Sequence, residues 1–144
     1  MQDPKELTNL ADTLTDAGSA KLPGHLGLEL IDIGPGAARM RCEIQEFHTA
    51  PNGYLHGGSI IALADTAAGY GCLGNMPEGG SGFTTIELKA NFLGTLLEGA
   101  MRAEARLAHG GRTTQVWDVE ITAEASRKTL ALFRCTQMIL YPRD

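Results

Sequence analysis

The chain has 144 residues, of which 43% are hydrophobic and 20% charged, which suits one domain with a real core and leaves little room for a second. A formal net charge of −5 argues against a general nucleic-acid binder, so an anionic ligand must be met by a local cluster of bases. No apolar run approaches the roughly 18 residues a membrane span needs. The start MQDPKELTNLADTL lacks the basic-then-apolar layout of a secretory signal, and Cys42, Cys72 and Cys135 form no CxxC pair. The expectation is a cytoplasmic protein with reduced thiols and no membrane partner.

Asp3 or Pro4 opens a helix in which Leu7, Leu10, Ala11 and Leu14 recur at helical spacing, and Gly18 ends it. KLPGHLG reads as loop. LELIDI and ARMRCEIQEF read as strands on either side of the turn GPG, making residues 28–47 a hairpin. HTAPNGYL is loop, because Pro51 and the Asn52-Gly53 pair form turns. From Gly58 to about Leu73 the pattern is an alanine-rich apolar helix, which NMPEGGSG breaks.

The period then changes to two. Ile86, Leu88, Ala90 and Phe92 alternate with Thr85, Glu87, Lys89 and Asn91. Ala103, Ala105 and Leu107 form a second alternating set, Trp117, Val119 and Ile121 a third, and Leu130 to Tyr141 a last, more apolar strand. Short turns at 98–99, 109–112 and 124–128 suit antiparallel neighbours. The expected fold is α+β, a curved antiparallel sheet wrapped around one long central helix, with 1–144 a single domain made of an N-terminal helix (1–20) and a core (20–141).

Two patterns carry no chemistry. GYGCLG (69–74) matches a dinucleotide-binding fingerprint but ends a helix, whereas the fingerprint must join a strand to a helix start; packing of small residues explains it. His25, His48, His56 and His109 show no metal-ligand spacing, and no GxSxG marks a serine hydrolase.

LHGGSIIALAD (55–65) is different. Gly57 and Gly58 open the apolar helix, where the first amide N–H groups lack intrahelical partners and face the positive end of the dipole, a setting suited to a developing oxyanion. A plain glycine-rich cap with Ser59 on the first turn is the alternative. Asp65 lies eight residues beyond Gly57, about 12 Å along the helix, too far to act on a carbonyl held at the glycines. Two antiparallel copies of the helix about a twofold axis would bring Gly57 of one chain to Asp65 of the other. The residues three and four from Asp65 are Ile61, Ala62, Ala68 and Gly69, three of the four small enough to permit close approach of a second backbone. The alternative is a polar arc that faces water.

HTAPNGYLHGGSIIALADTAAGYG, GFTTIELKANFLG and HGGRTTQVWDVEI together resemble the PaaI-type acyl-CoA thioesterases of the hotdog fold and their 4-hydroxybenzoyl-CoA thioesterase relatives. The resemblance covers about residues 20–141. It implies that Gly57 supplies the N–H that polarises the thioester carbonyl, and that Asp65 of the neighbouring subunit is nucleophile or general base. It also implies that His56 sits beside the thioester, and that Thr85 lies near the attacking water. Gly111, Arg112, Thr113 and Thr114 would follow the coenzyme A arm, with Asn52, Gly58 and Gly69 as further substrate-side candidates. Many members carry an amide side chain where this chain has Ala50; Asn52 is the nearby substitute. The implied function is hydrolysis of an acyl- or aryl-CoA to free acid and coenzyme A, with no metal or cofactor beyond the substrate's own coenzyme A. The partner is a second copy of the chain, as a homodimer or homotetramer. A hydratase or dehydratase of acyl thioesters, using His56 with Asp65, and a non-catalytic acyl-CoA binder are the rival readings. The acyl group stays open.

Overall fold

The computed structural model describes residues 3–144. Helix α1 (Pro4–Gly18) is capped by Asp3, whose carboxylate accepts from the Lys5 N–H, with Pro4 in the first turn, where its missing donor is harmless. A short second helix, α2 (Leu22–His25), stands where the sequence suggested loop. It folds back so tightly on α1 that a Cβ at Gly24 would lie 2.1 Å from the Ser19 carbonyl oxygen. Strands β1 (Leu28–Gly34) and β2 (Ala37–Glu43) form the first hairpin, α3 (Gly57–Gly74) the long helix, and β3 (Gly82–Phe92), β4 (Ala100–Gly110), β5 (Thr114–Ala123) and β6 (Thr129–Leu140) the rest.

All six strands make one antiparallel sheet in the order β1-β2-β4-β5-β6-β3, and α3 packs against every one of them. The alternation within the strands decides the face. Met40, Ala103, Ile121 and Ala131 are cross-strand neighbours in one row toward the helix and are buried. The opposite face carries exposed ion pairs such as Arg39–Asp32 and Arg134–Asp118, each worth little in stability. Small residues set the helix-to-sheet distance: Ala64, Ala67 and Ala68 are fully buried, and a Cβ at Gly71 would be 2.7 Å from the Trp117 ring. GYGCLG is thus a packing motif.

Two departures from the alternation matter. The second strand was expected to reach Phe47 but stops at Glu43. His48 is the reason. Its buried ring accepts from the Gln45 N–H at Nδ1 and bonds the Leu26 carbonyl through Nε2, which draws residues 46–48 out of the ladder into a 3-10 turn. In β3 the register slips between Thr85 and Glu87, a bulge that places one extra residue, Ile86, in the strand. Thr85 therefore pairs with Gln137 and Leu88 with Cys135, both on the helix side. The sequence alternation had put Thr85 and Leu88 on opposite faces. Among the described residues no helix is long and apolar enough to cross a membrane.

Candidate active site

His48 also positions the start of α3. Its backbone carbonyl accepts from the His56 N–H and from the Ser59 hydroxyl, so Ser59 anchors the loop instead of capping the helix. The cap is His56, whose Nδ1 accepts from the Gly58 N–H at 2.8 Å. The Ser59 and Ile60 N–H groups bond the His56 carbonyl. Among the described residues, nothing accepts from the N–H of Gly57. Because His56 Nδ1 is an acceptor, a neutral ring carries its proton on Nε2, on an exposed side chain. The Phe92 ring lies over Gly57, where an added Cβ would sit 2.9 Å from Cζ.

The loop before the helix is a tight hairpin: Ala50 N–H bonds the Tyr54 carbonyl, Gly53 has φ +87°, and Asn52 Oδ1 accepts from the Tyr54 N–H. The Asn52 acceptor oxygen is thus engaged within its own turn. Leu55 N–H bonds Thr95 Oγ1, which ties this loop to the segment after β3. Tyr54, Phe92, Leu93 and Leu97 are exposed apolar groups on these segments.

Asp65 stands on the third turn of α3, away from that end. Thr85 Oγ1 lies 3.3 Å from Asp65 Oδ1 and 2.7 Å from Gln137 Oε1. Partial burial pushes the Asp65 carboxyl above its usual range, opposed by the Thr85 hydroxyl bond. An acid held this way gains basicity without a neighbouring charge. Within one chain the eight-position step from Gly57 to Asp65 still separates them by about 12 Å. One chain thus joins Asp65 to Thr85 and, separately, His56 to Gly57.

The other named residues divide between the ends of the sheet. The space left by Gly69 is filled by the Phe83 ring of the same chain, 2.7 Å from where a Cβ would stand. The next residue, Tyr70, turns its hydroxyl toward α1, 2.8 Å from where a Cβ at Gly18 would stand. The β4–β5 turn is closed by the Gly111 N–H on the Thr114 carbonyl; the Ile139 N–H bonds the Thr113 carbonyl and the Tyr141 hydroxyl bonds that of Arg112. Thr114 pairs with Met138, and Met138 with Thr84, so this turn sits at the Asp65–Thr85 end of β3. The Arg112 side chain is exposed and forms no ion pair among the described residues. No group of three or more His, Cys, Asp or Glu side chains among the described residues could hold a metal ion.

Sequence reasoning missed Gln137. The available signal was a polar residue in the inward phase of Ala131, Phe133, Cys135 and Ile139 on β6.

One long helix in a six-stranded antiparallel sheet, with a half-buried acid on the helix and an open amide at its start, is the hotdog architecture. The thioesterase superfamily matches residues 52–130, more than half the chain, and the chain belongs to it: the protein is a hydrolase of thioester bonds. It is 36% identical over 111 residues to the 1,4-dihydroxy-2-naphthoyl-CoA hydrolase of Listeria monocytogenes, covering 77% of this chain and 89% of that one. It is 33% identical over 110 residues to the acyl-coenzyme A thioesterase PaaI of Escherichia coli, covering 76% and 75%. The crystal structure of a Haemophilus influenzae thioesterase superposes with a TM-score of 0.84 at 27% identity, covering 91% of this chain and 90% of that one.

Proposed function

We propose that the protein hydrolyses an acyl- or aryl-CoA thioester to the free acid and coenzyme A at a site shared by two protomers. His56 and Gly57 come from one, Asp65 and Thr85 from the other. The observation that carries this is the unpartnered Gly57 N–H on the same helix as a half-buried acid about 12 Å away: each half of the site is prepared, and neither is complete alone.

The free edge of β3 supports the pairing. The strand is 11 residues long and, among the described residues, bonds only β6, and its exposed side chains include Ile86 and Phe92, each at 51%. A long apolar edge is a template for association unless another strand covers it. Antiparallel pairing of two such edges would carry the start of one α3 toward the Asp65 of its partner.

In this reading the thioester carbonyl oxygen accepts from the Gly57 N–H at the positive end of α3, which also holds the tetrahedral oxyanion. The partner's carboxylate either adds to the carbonyl carbon or takes a proton from the water that does. Collapse of the tetrahedral species expels coenzyme A as thiolate, a leaving group good enough to need no metal or strong acid. Where the carboxylate itself has added, water then hydrolyses the mixed anhydride left on Asp65 to the free acid and the regenerated carboxylate. His56, with its proton on Nε2, faces the carbonyl as a second donor. The turn at Gly111–Thr114 would lie along the coenzyme A arm, with Arg112 as its unpaired cation. No cofactor enters beyond the coenzyme A of the substrate.

The test is a thiol-release screen across aryl-, phenylacetyl- and straight-chain CoA esters, with wild type and Asp65→Asn. The proposal expects turnover of some esters by wild type and near-complete loss in the folded variant. Near-normal rates for Asp65→Asn on the best ester would refute it.

A further inference from the structure

The helix-side face of the sheet is apolar except for one row. Gln115 on β5, Gln137 on β6 and Thr85 on β3 are consecutive cross-strand partners, and the two glutamines are 2% and 0% exposed. Burying an amide that lacks partners costs about 1–3 kcal/mol, so each must be engaged. Gln115 is engaged structurally: it accepts from the Trp117 indole N–H and donates to the Asn75 carbonyl, each at 2.8 Å. Gln137 instead meets Thr85 Oγ1 at 2.7 Å and Cys135 Sγ at 3.5 Å.

We propose that Gln137 is a positioning residue for the thioesterase reaction: it fixes the Thr85 hydroxyl against Asp65 and so orients the catalytic carboxylate. The inference rests on the reading above, in which Asp65 acts on the thioester.

Proton counting supports it. A hydroxyl has one proton, and a primary amide has an acceptor end and a donor end. When Asp65 is ionised it can only accept, so the Thr85 proton points to Asp65 and the Thr85 oxygen accepts from the Gln137 NH2 group. The amide oxygen then takes the S–H of Cys135, a thiol that burial pushes up to about 12 and so keeps protonated. When Asp65 is protonated it donates to Thr85, Thr85 donates to Gln137 Oε1, and the amide nitrogen faces Cys135 Sγ. The two arrangements differ by a half-turn of one amide. The row stays bonded whether Asp65 has given up or taken on its proton, which an apolar side chain at 137 could not provide.

The test is steady-state kinetics on the best CoA ester for Gln137→Met, Gln137→Asn, Thr85→Val and the double variant Gln137→Met/Thr85→Val, with melting curves for each. Methionine keeps the shape and removes the hydrogen bonds; asparagine keeps the amide and shortens its reach, so a folding failure of one leaves the other. Both are expected to lower kcat about tenfold with KM within twofold. Against the Thr85→Val background, Gln137→Met is expected to change kcat by less than twofold, because its effect passes through the Thr85 hydroxyl. Single variants with kcat within twofold of wild type, or effects that multiply in the double variant, overturn the inference. Loss of activity in Asp65→Asn alongside normal Gln137 variants would sink this inference alone, whereas an active Asp65→Asn sinks the reading beneath it.

Discussion

Replacing Gly57 with proline isolates the contribution of one N–H. Gly57 is the first residue of α3, a position where proline is accepted because its φ suits the helix and the lost donor has no intrahelical partner. His56 before it has φ −69° and ψ 131°, the extended conformation that a residue preceding proline prefers. The added Cβ would meet the tip of the Phe92 ring at 2.9 Å, a contact that a small rotation of that side chain relieves. Restricting the unfolded chain returns about 0.4–1 kcal/mol, so the melting temperature should barely move. Loss of one oxyanion donor lowers kcat by roughly 100- to 1,000-fold, with a smaller change in KM. Gly57→Ala is the control, since it brings the same crowding against Phe92 and keeps the N–H. Thiol release measured for both variants against wild type gives the answer. A proline variant with kcat within about threefold of wild type, or one no slower than the alanine variant, would refute the reasoning.

Two further expectations concern charge and packing. Burial raises the folded-state pKa of Asp65 above its ordinary 3.8. Above that raised pKa the wild type holds a charge the fold disfavours, and this penalty fades as pH falls through it. Asp65→Asn should therefore melt higher than wild type near neutral pH and lose that advantage in acid, while the wild-type rate should rise with pH through a midpoint above 3.8; thermal melts and rate profiles across pH check both, and an Asn variant less stable at neutral pH contradicts the first. Gly71→Ala forces a methyl to within 2.7 Å of the fully buried Trp117 ring. Overpacking of this kind costs about 1–3 kcal/mol, offset by up to about 1 kcal/mol of helix propensity. Calorimetry should find a lower melting temperature, and an unchanged or higher one would show that the helix can lift off the sheet at no cost.

How much could be read beforehand followed the range of the interactions. Elements set by local pattern were legible. Asp3 and Pro4 started α1, the alanine-rich stretch made α3 begin one residue before the expected Gly58, and the alternation after residue 82 gave four strands. What failed depended on distant partners. The end of β2 is decided by the His48 ring reaching Leu26, 22 residues away. Two-residue alternation cannot register a bulge, so the sequence put Thr85 opposite Leu88, and the slip at Ile86 brought both to the helix side. For the candidate site, HGG and Asp65 could be named because glycine, histidine and a lone acid stand out in an apolar helix. Gln137 was missed, because its inward phase on β6 signals burial alone and the Thr85 hydroxyl it meets lies 52 residues earlier.

The shared site is tested most directly by mixing two defective chains. Gly57→Pro lacks the amide donor and Asp65→Asn lacks the acid, and each homodimer should be inactive. If the two assort at random after co-expression or joint refolding, half the dimers are mixed, and each of these has one site with both halves intact. Activity should then return to about a quarter of the wild-type value per protomer. Recovery of no activity from a mixture shown by mass spectrometry to contain mixed dimers would contradict a site built from two chains.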